Sequence, residues 1–152
     1  MPDDYTAALI STDDNAAARV LTAAATTWAQ QNHVKLTLVP AHDPVRYVAA
    51  IQKAIDLDTD LVISAGDPLA DPMALVTASW LDQKFLILGA ELAEPTANVT
   101  AAIWKGVFNR GGGAADAASD PSTFTADRAG RAMDAGVAAV LRGYSGFVVK
   151  VD

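Results

Sequence analysis

The chain has 152 residues, 51% hydrophobic and 19% charged, which suits one compact domain with a sizeable core and leaves no room for a second full domain. Its 11 Lys and Arg against 18 Asp and Glu give a net charge of -7, and this excludes nucleic acid or an anionic membrane as the main partner, since both need basic patches. With no cysteine there are no disulfides, no thiolate catalysis and no Cys-ligated metal, and no apolar run is long enough to span a bilayer.

Met1-Pro2-Asp3-Asp4 leads almost directly into an apolar run, so no signal peptide is expected in this stretch. Residues 5–11 read as a first strand. The polar turn Ser11-Thr12-Asp13-Asp14-Asn15 then supplies capping residues for a helix over about 15–32, where Val20, Leu21, Ala24, Ala25 and Trp28 recur at three and four. A second strand is expected over 34–39. Asp43-Pro44 opens the next helix, with Asp as N-cap, Pro as first helical residue, and Val48, Ile51 and Ile55 as the inner stripe.

The stretch from Asp60 to Trp104 carries the strongest signals. Continuous apolar strands are expected at 61–65, 85–88 and 99–104, as in a buried parallel sheet, with a helix from Asp71-Pro72 to Leu81 between the first two. No helix fits between Gly89 and Asn98. A parallel neighbour normally requires a dozen or more connecting residues, so the last of these strands is expected either to follow an extended loop crossing or to lie antiparallel or at the edge. By periodicity Trp28, Trp80 and Trp104 all fall on inner faces.

The glycine- and alanine-rich segment over 110–122 is flexible by composition. A final helix over about 125–142 places Ala129, Ala132, Met133, Gly136, Val137, Val140 and Leu141 on one face, Gly143 stops it, and residues 147–151 form a last strand. The sum is an α/β fold, a three-layer α/β/α sandwich. Its sheet is doubly wound and mostly parallel, with five or six strands in the order 2-1-3-4-5, and forms a single lobe.

In that strand order the crevice for ligands lies between strands one and three. The residues above it are Thr12, Asp13, Asp14, Asn15, Gly66 and Asp67. A structural role competes for the same residues: Asp14 or Asn15 as helix cap, Asp67 as the start of a turn before Pro68. Phosphate is disfavoured as a ligand, because the loop has carboxylates and no glycine-rich cradle. No cofactor or metal is expected, and no enzyme constellation emerges: His33 and His42 fall at opposite ends of strand two, and no serine sits in a nucleophile elbow. Asn98-Val99-Thr100 matches a glycosylation sequon but is expected to open a strand.

Three segments carry a family likeness: Asp60-Leu61-Val62-Ile63-Ser64-Ala65-Gly66, then Leu81-Asp82-Gln83-Lys84-Phe85-Leu86-Ile87-Leu88, then Asn98-Val99-Thr100-Ala101. In order and spacing, residues 5–105 resemble the amino-terminal lobe of the basic membrane protein family, substrate-binding lipoproteins of bacterial nucleoside-type importers with the type 1 periplasmic-binding-protein fold. The resemblance implies a small polar ligand such as a nucleoside or sugar, contacts from the 13–15 loop, and an extracytoplasmic location with any membrane tether outside this sequence. It departs in three places. Leu81 stands where the family has Pro. Gly89 stands where it usually has an acidic residue, for which Glu91 is the candidate substitute. The second lobe is missing, so a homodimer is expected to complete the site. The alternatives are a non-catalytic interaction or scaffold domain, or a degenerate receiver-like domain. Asp13-Asp14 and Lys105 imitate a receiver, but Ser64-Ala65-Gly66 replaces its phosphoacceptor.

Overall fold

The computed structural model describes residues 1–107 and 118–152, and the first part of the expected flexible segment 110–122 lies outside them. Six strands form one sheet: β1 (Thr6–Ser11), β2 (Lys35–Pro40), β3 (Leu61–Ala65), β4 (Phe85–Leu88), β5 (Val99–Trp104) and β6 (Val148–Val151). Their order is β2-β1-β3-β4-β5-β6, and every pairing is parallel. The sequence order 2-1-3-4-5 therefore holds, with β6 added beyond β5. The antiparallel and edge alternatives for β5 do not occur, because the chain over 89–98 crosses back as a loop without a helix. At about 3.3 Å per residue it reaches farther than the ~20 Å of a six-residue strand, so no helix is required.

Helices α1 (Ala16–Gln31) and α4 (Ala126–Leu141) cover one face, and α2 (Tyr47–Asp56) and α3 (Ala70–Thr77) the other. Strands β1, β3, β4 and β5 are buried on both sides, as their predominantly apolar sequences require. Leu9, Ile63, Leu86 and Leu88 meet α1 and α4; Ile10, Val62, Phe85 and Ile87 meet α2 and α3. Where a crossover helix is missing between β4 and β5, Ala90 and Leu92 of the loop join the α2–α3 layer in its stead. Close packing of α4 depends on Gly136, where a Cβ would lie 2.7 Å from a Leu86 methyl and 3.1 Å from the Ala102 Cβ.

The expected elements shift in several places. Helix α3 ends at Thr77 rather than Leu81, and it follows a 3₁₀ turn at Asp67–Leu69, so Asp67-Pro68 rather than Asp71-Pro72 begins the helical run. Trp80 is consequently in a turn and 40% exposed, whereas Trp28 and Trp104 are buried as expected. Asp43 caps a 3₁₀ turn, Pro44–Arg46, that leads into α2. The inner stripe of α2 is Tyr47, Ala50, Ile51, Ala54 and Ile55, leaving Val48 outside, and Leu141 of α4 also faces outward.

Two side chains fix the amino edge of the sheet. The carboxylate of Asp60 accepts from the Thr6 backbone N–H at 2.8 Å and from its hydroxyl at 2.9 Å, aligning the starts of β1 and β3. Asn98 is buried immediately before β5. Its amide nitrogen donates to the carbonyls of Thr77 at 3.1 Å, Trp80 at 2.9 Å and Gln83 at 3.2 Å. The sequon asparagine is therefore a structural clamp that joins the end of α3, the turn into β4 and the start of β5.

Candidate functional site

The carboxyl ends of the strands gather the sequence-derived candidates at different depths. At the end of β1, Thr12 is fully buried and its hydroxyl donates to an Asp14 carboxylate oxygen at 2.6 Å. The same oxygen accepts from the Asn15 amide at 3.1 Å. Asn15 is the N-cap of α1, its side-chain oxygen accepting from the Ala18 N–H at 2.8 Å. Asp13 takes a left-handed conformation at φ 51°, which aspartate tolerates better than most residues, and its N–H donates to the Ser11 hydroxyl at 3.2 Å. A ring nitrogen of His42 lies 3.1 Å from the Thr12 carbonyl. Behind them, burial pushes the Tyr47 hydroxyl above its ordinary pKa, with further contributions from the charges of Asp14 and Asp43.

At the end of β3, Gly66 is buried at φ 88°, a conformation that suits glycine, and its N–H donates to the Leu88 carbonyl at 2.9 Å. It turns the chain into Asp67-Pro68. Between this turn and the amino end of α1 lies a concavity of about 270 Å³, bordered by Asn15 through Ala18, Gly66, Asp67, Pro68, Ser119, Pro121 and Phe124. Of the eight candidates, Asn15, Gly66 and Asp67 thus meet at one concavity. Asp13 borders a separate groove of about 200 Å³ with Ser11, Pro40 and His42.

The remaining two candidates lie apart. Gly89, at φ 70°, is buried: a Cβ there would be 3.0 and 3.1 Å from the Leu21 methyls and 3.2 Å from the Phe124 ring. Glu91 does not border the concavity. One of its carboxylate oxygens is buried without a hydrogen-bond partner. Burial pushes its carboxyl above the usual range, and the Lys150 ammonium on β6 draws it part of the way back.

Sequence reasoning missed the wall formed by residues 119–124, which belongs partly to the segment expected to be flexible. Phe124 packs edge-on against Trp104 with ring centres 4.9 Å apart, and the Trp104 indole N–H donates to the Thr123 hydroxyl at 3.0 Å. The Asp120 N–H donates to the Gly106 carbonyl at 2.7 Å. An Asp120 carboxylate oxygen accepts from both the N–H and the hydroxyl of Ser122, which holds that carboxyl below its ordinary pKa. One signal was available: Phe124 immediately precedes Thr125, the N-cap of α4, the position of the apolar residue in a hydrophobic staple.

A larger groove of about 550 Å³ runs between α1 and α4, lined by four alanines with Val20, Thr27, Trp28, Gln31 and Gly130, and bearing Arg19 and Asp134 as its charges. It gathers no converging set of polar groups. Among the described residues no cluster of His, Asp and Glu is arranged to hold a metal ion, and no helix is long and apolar enough to cross a membrane.

No protein-family model and no curated protein matches the chain. Solved structures do. The chain is similar to a candidate lipoprotein fragment from Peptoclostridium difficile 630, with a TM-score of 0.59 and 19% identity over 66% of this chain and 85% of that one. It is similar to an ABC transporter solute-binding protein from Aeropyrum pernix K1, with a TM-score of 0.58 and 16% identity over 68% of this chain and 29% of that one. A third is the 5-methylthioribose transporter solute-binding protein from Thermotoga lettingae TMO in complex with 5-methylthioribose, with a TM-score of 0.50 and 20% identity over 64% of this chain and 31% of that one. The chain thus spans about a third of the length of these two transporter proteins. At such identities the likeness is one of fold: the chain shares its single-sheet α/β fold with the lipoprotein fragment and with part of each of the two solute-binding proteins.

Proposed function

We propose that residues 1–152 form a single lobe of the solute-binding kind, a relative of the basic membrane proteins. It binds a small polar ligand, a nucleoside or sugar, at the carboxyl ends of β1 and β3, performs no catalysis, and acts outside the cytoplasm. The observation that carries this reading is the concavity at the β1–β3 switch point, where Asn15, Gly66 and Asp67 converge. Asp67 and Asn15 offer acceptors suited to hydroxyl groups, and the mostly apolar remainder suits a ring. Two of the solved neighbours are solute-binding proteins, one of them in complex with 5-methylthioribose. On this reading a second copy facing the strand ends would add enclosure in place of a second lobe.

The test is thermal unfolding with adenosine, guanosine and ribose. A ligand of the native state at 100 times its Kd stabilises by about 2.7 kcal/mol, which for a chain of this size raises Tm by about 5–10 °C. No shift across the three compounds would overturn the reading. A second reading, an interaction domain without a small ligand, draws support from Gly89, whose position is filled by Leu21 and Phe124, and from the groove between α1 and α4.

A further inference from the structure

The cavity at the β1–β3 switch point has one wall that comes from neither strand end. Residues 119–124 lie across the carboxyl edge, tied down by the Asp120 N–H bond to the Gly106 carbonyl at 2.7 Å and the Trp104 indole bond to Thr123 at 3.0 Å. Gly106 fits only because it lacks a side chain: at φ 108°, a Cβ would come within 2.4 Å of the Thr123 methyl. Phe124, 9% exposed and backed edge-on by Trp104, borders with its exposed part the same cavity as Asn15 and Asp67. A ring braced this way keeps its position when a ligand arrives, so little ordering cost is added on binding.

Resting on the ligand-binding reading above, we propose that residues 119–124 supply in the same chain part of the enclosure that a second lobe would give, and that Phe124 selects the ligand. The class selected is a small neutral or cationic molecule with one flat apolar face against Phe124 and hydroxyl or amino donors toward Asp67 and Asn15. Anions are rejected, because the Asp67 carboxylate stands in the wall itself. The volume of about 270 Å³ is just below the ~300–1,000 Å³ usual for ligand sites, which restricts the enclosed part of the ligand to about one ring system.

The experiment is calorimetric titration of the full chain with adenosine and with ribose, comparing wild type, Phe124→Leu and Phe124→Met. Leucine keeps an apolar side chain but loses the flat face. Methionine also lacks the flat face and, being unbranched and flexible, fills the space left by the ring more readily. The expected result is adenosine bound more tightly than ribose by wild type, and weakened about fivefold or more by Phe124→Leu, the scale of one aromatic contact. Unchanged adenosine affinity in Phe124→Leu overturns this inference and leaves the ligand-binding reading standing. Ribose bound and adenosine not bound does the same, and binding of neither compound overturns both. Should Phe124→Leu fail to fold by circular dichroism, Phe124→Met decides: weakened adenosine binding supports the inference and unchanged binding overturns it.

Discussion

Replacing Asn98 with Ala removes a single amide that serves three carbonyls. Thr77 and Trp80 keep a second backbone donor, from the N–H groups of Trp80 at 3.1 Å and Gln83 at 3.0 Å, so the variant does not strand all three acceptors. At about 1 kcal/mol for each net hydrogen bond, and more for a buried acceptor left empty, the loss comes to about 2–3 kcal/mol. Urea unfolding followed by far-UV circular dichroism reads this out. With m of about 2 kcal/mol/M, the midpoint is expected to fall by about 1–1.5 M at unchanged m. Asn98→Asp is a sharper version, since it keeps the shape and points a carboxylate at three carbonyl oxygens. Its folded-state pKa is expected above the ordinary ~3.9, so the folded state holds the proton longer. Stability therefore falls as pH rises through the window from about 3.9 to the raised value, and Asn98→Asp should approach Asn98→Ala only in acid. Thr96→Val, which removes just the hydroxyl bond to the Asn98 side-chain oxygen, should cost under about 1 kcal/mol. A midpoint for Asn98→Ala within about 0.3 M of wild type would refute the clamp.

Glu91 gives a pH signature of its own. Its carboxyl is raised chiefly by burial, so it destabilises the fold once ionised, and stability should decline as pH rises above the ordinary ~4.3. Glu91→Gln should flatten that part of the pH–stability curve, and Lys150→Met should steepen it; identical curves for all three proteins would contradict the assignment. Two glycines of α4 are expected to respond with opposite sign in thermal unfolding. Gly136→Val forces atoms into Leu86 and Ala102 and should cost about 2 kcal/mol or more. Gly130→Ala meets nothing within 4 Å and should gain about 1 kcal/mol from helix propensity. Sedimentation velocity at micromolar concentration tests the proposed pairing of two copies across the strand ends, and a monomer in the presence of saturating ligand would end that part of the reading.

The strands were legible because most are buried on both faces, which leaves little in them but apolar residues. The end of α3 was not. Leu75, Trp80 and Leu81 continue an apolar pattern, yet the helix stops at Thr77, where the Ser79 and Trp80 N–H groups bond three residues back and the Thr77 and Trp80 carbonyls also accept from Asn98, a residue too far along the chain for local periodicity to register. Val48 misled for a related reason, since α2 buries Tyr47 and Ala50 on a face rotated from the one that Val48 suggests. At the site, Asn15, Gly66 and Asp67 could be read from strand order, because a doubly wound sheet fixes which loops meet. Phe124 carried only the local signal of an apolar residue before the Thr125 N-cap; its place at the site could not be read, since its partner Trp104 lies across a segment whose composition carries no fold signal. Asp60 and Asn98, two residues that carried the family resemblance, turn out to align the starts of strands, at the edge opposite the concavity.

The substitution of a loop for a helix between β4 and β5 leaves the sheet unevenly insulated. On the α1–α4 side every central strand lies under a helix. On the other side, β5 has the thin cover of residues 89–98, and beyond it Phe147, Val148 and Lys150 face solvent. Amide protons near β1 and β3 can therefore exchange only when most of the domain opens, whereas those of β6 need only that margin to lift. The molecule is best regarded as a slow-exchanging core that holds Asn15, Gly66 and Asp67 in place, with a border at β6 that opens at much lower cost and leaves them undisturbed.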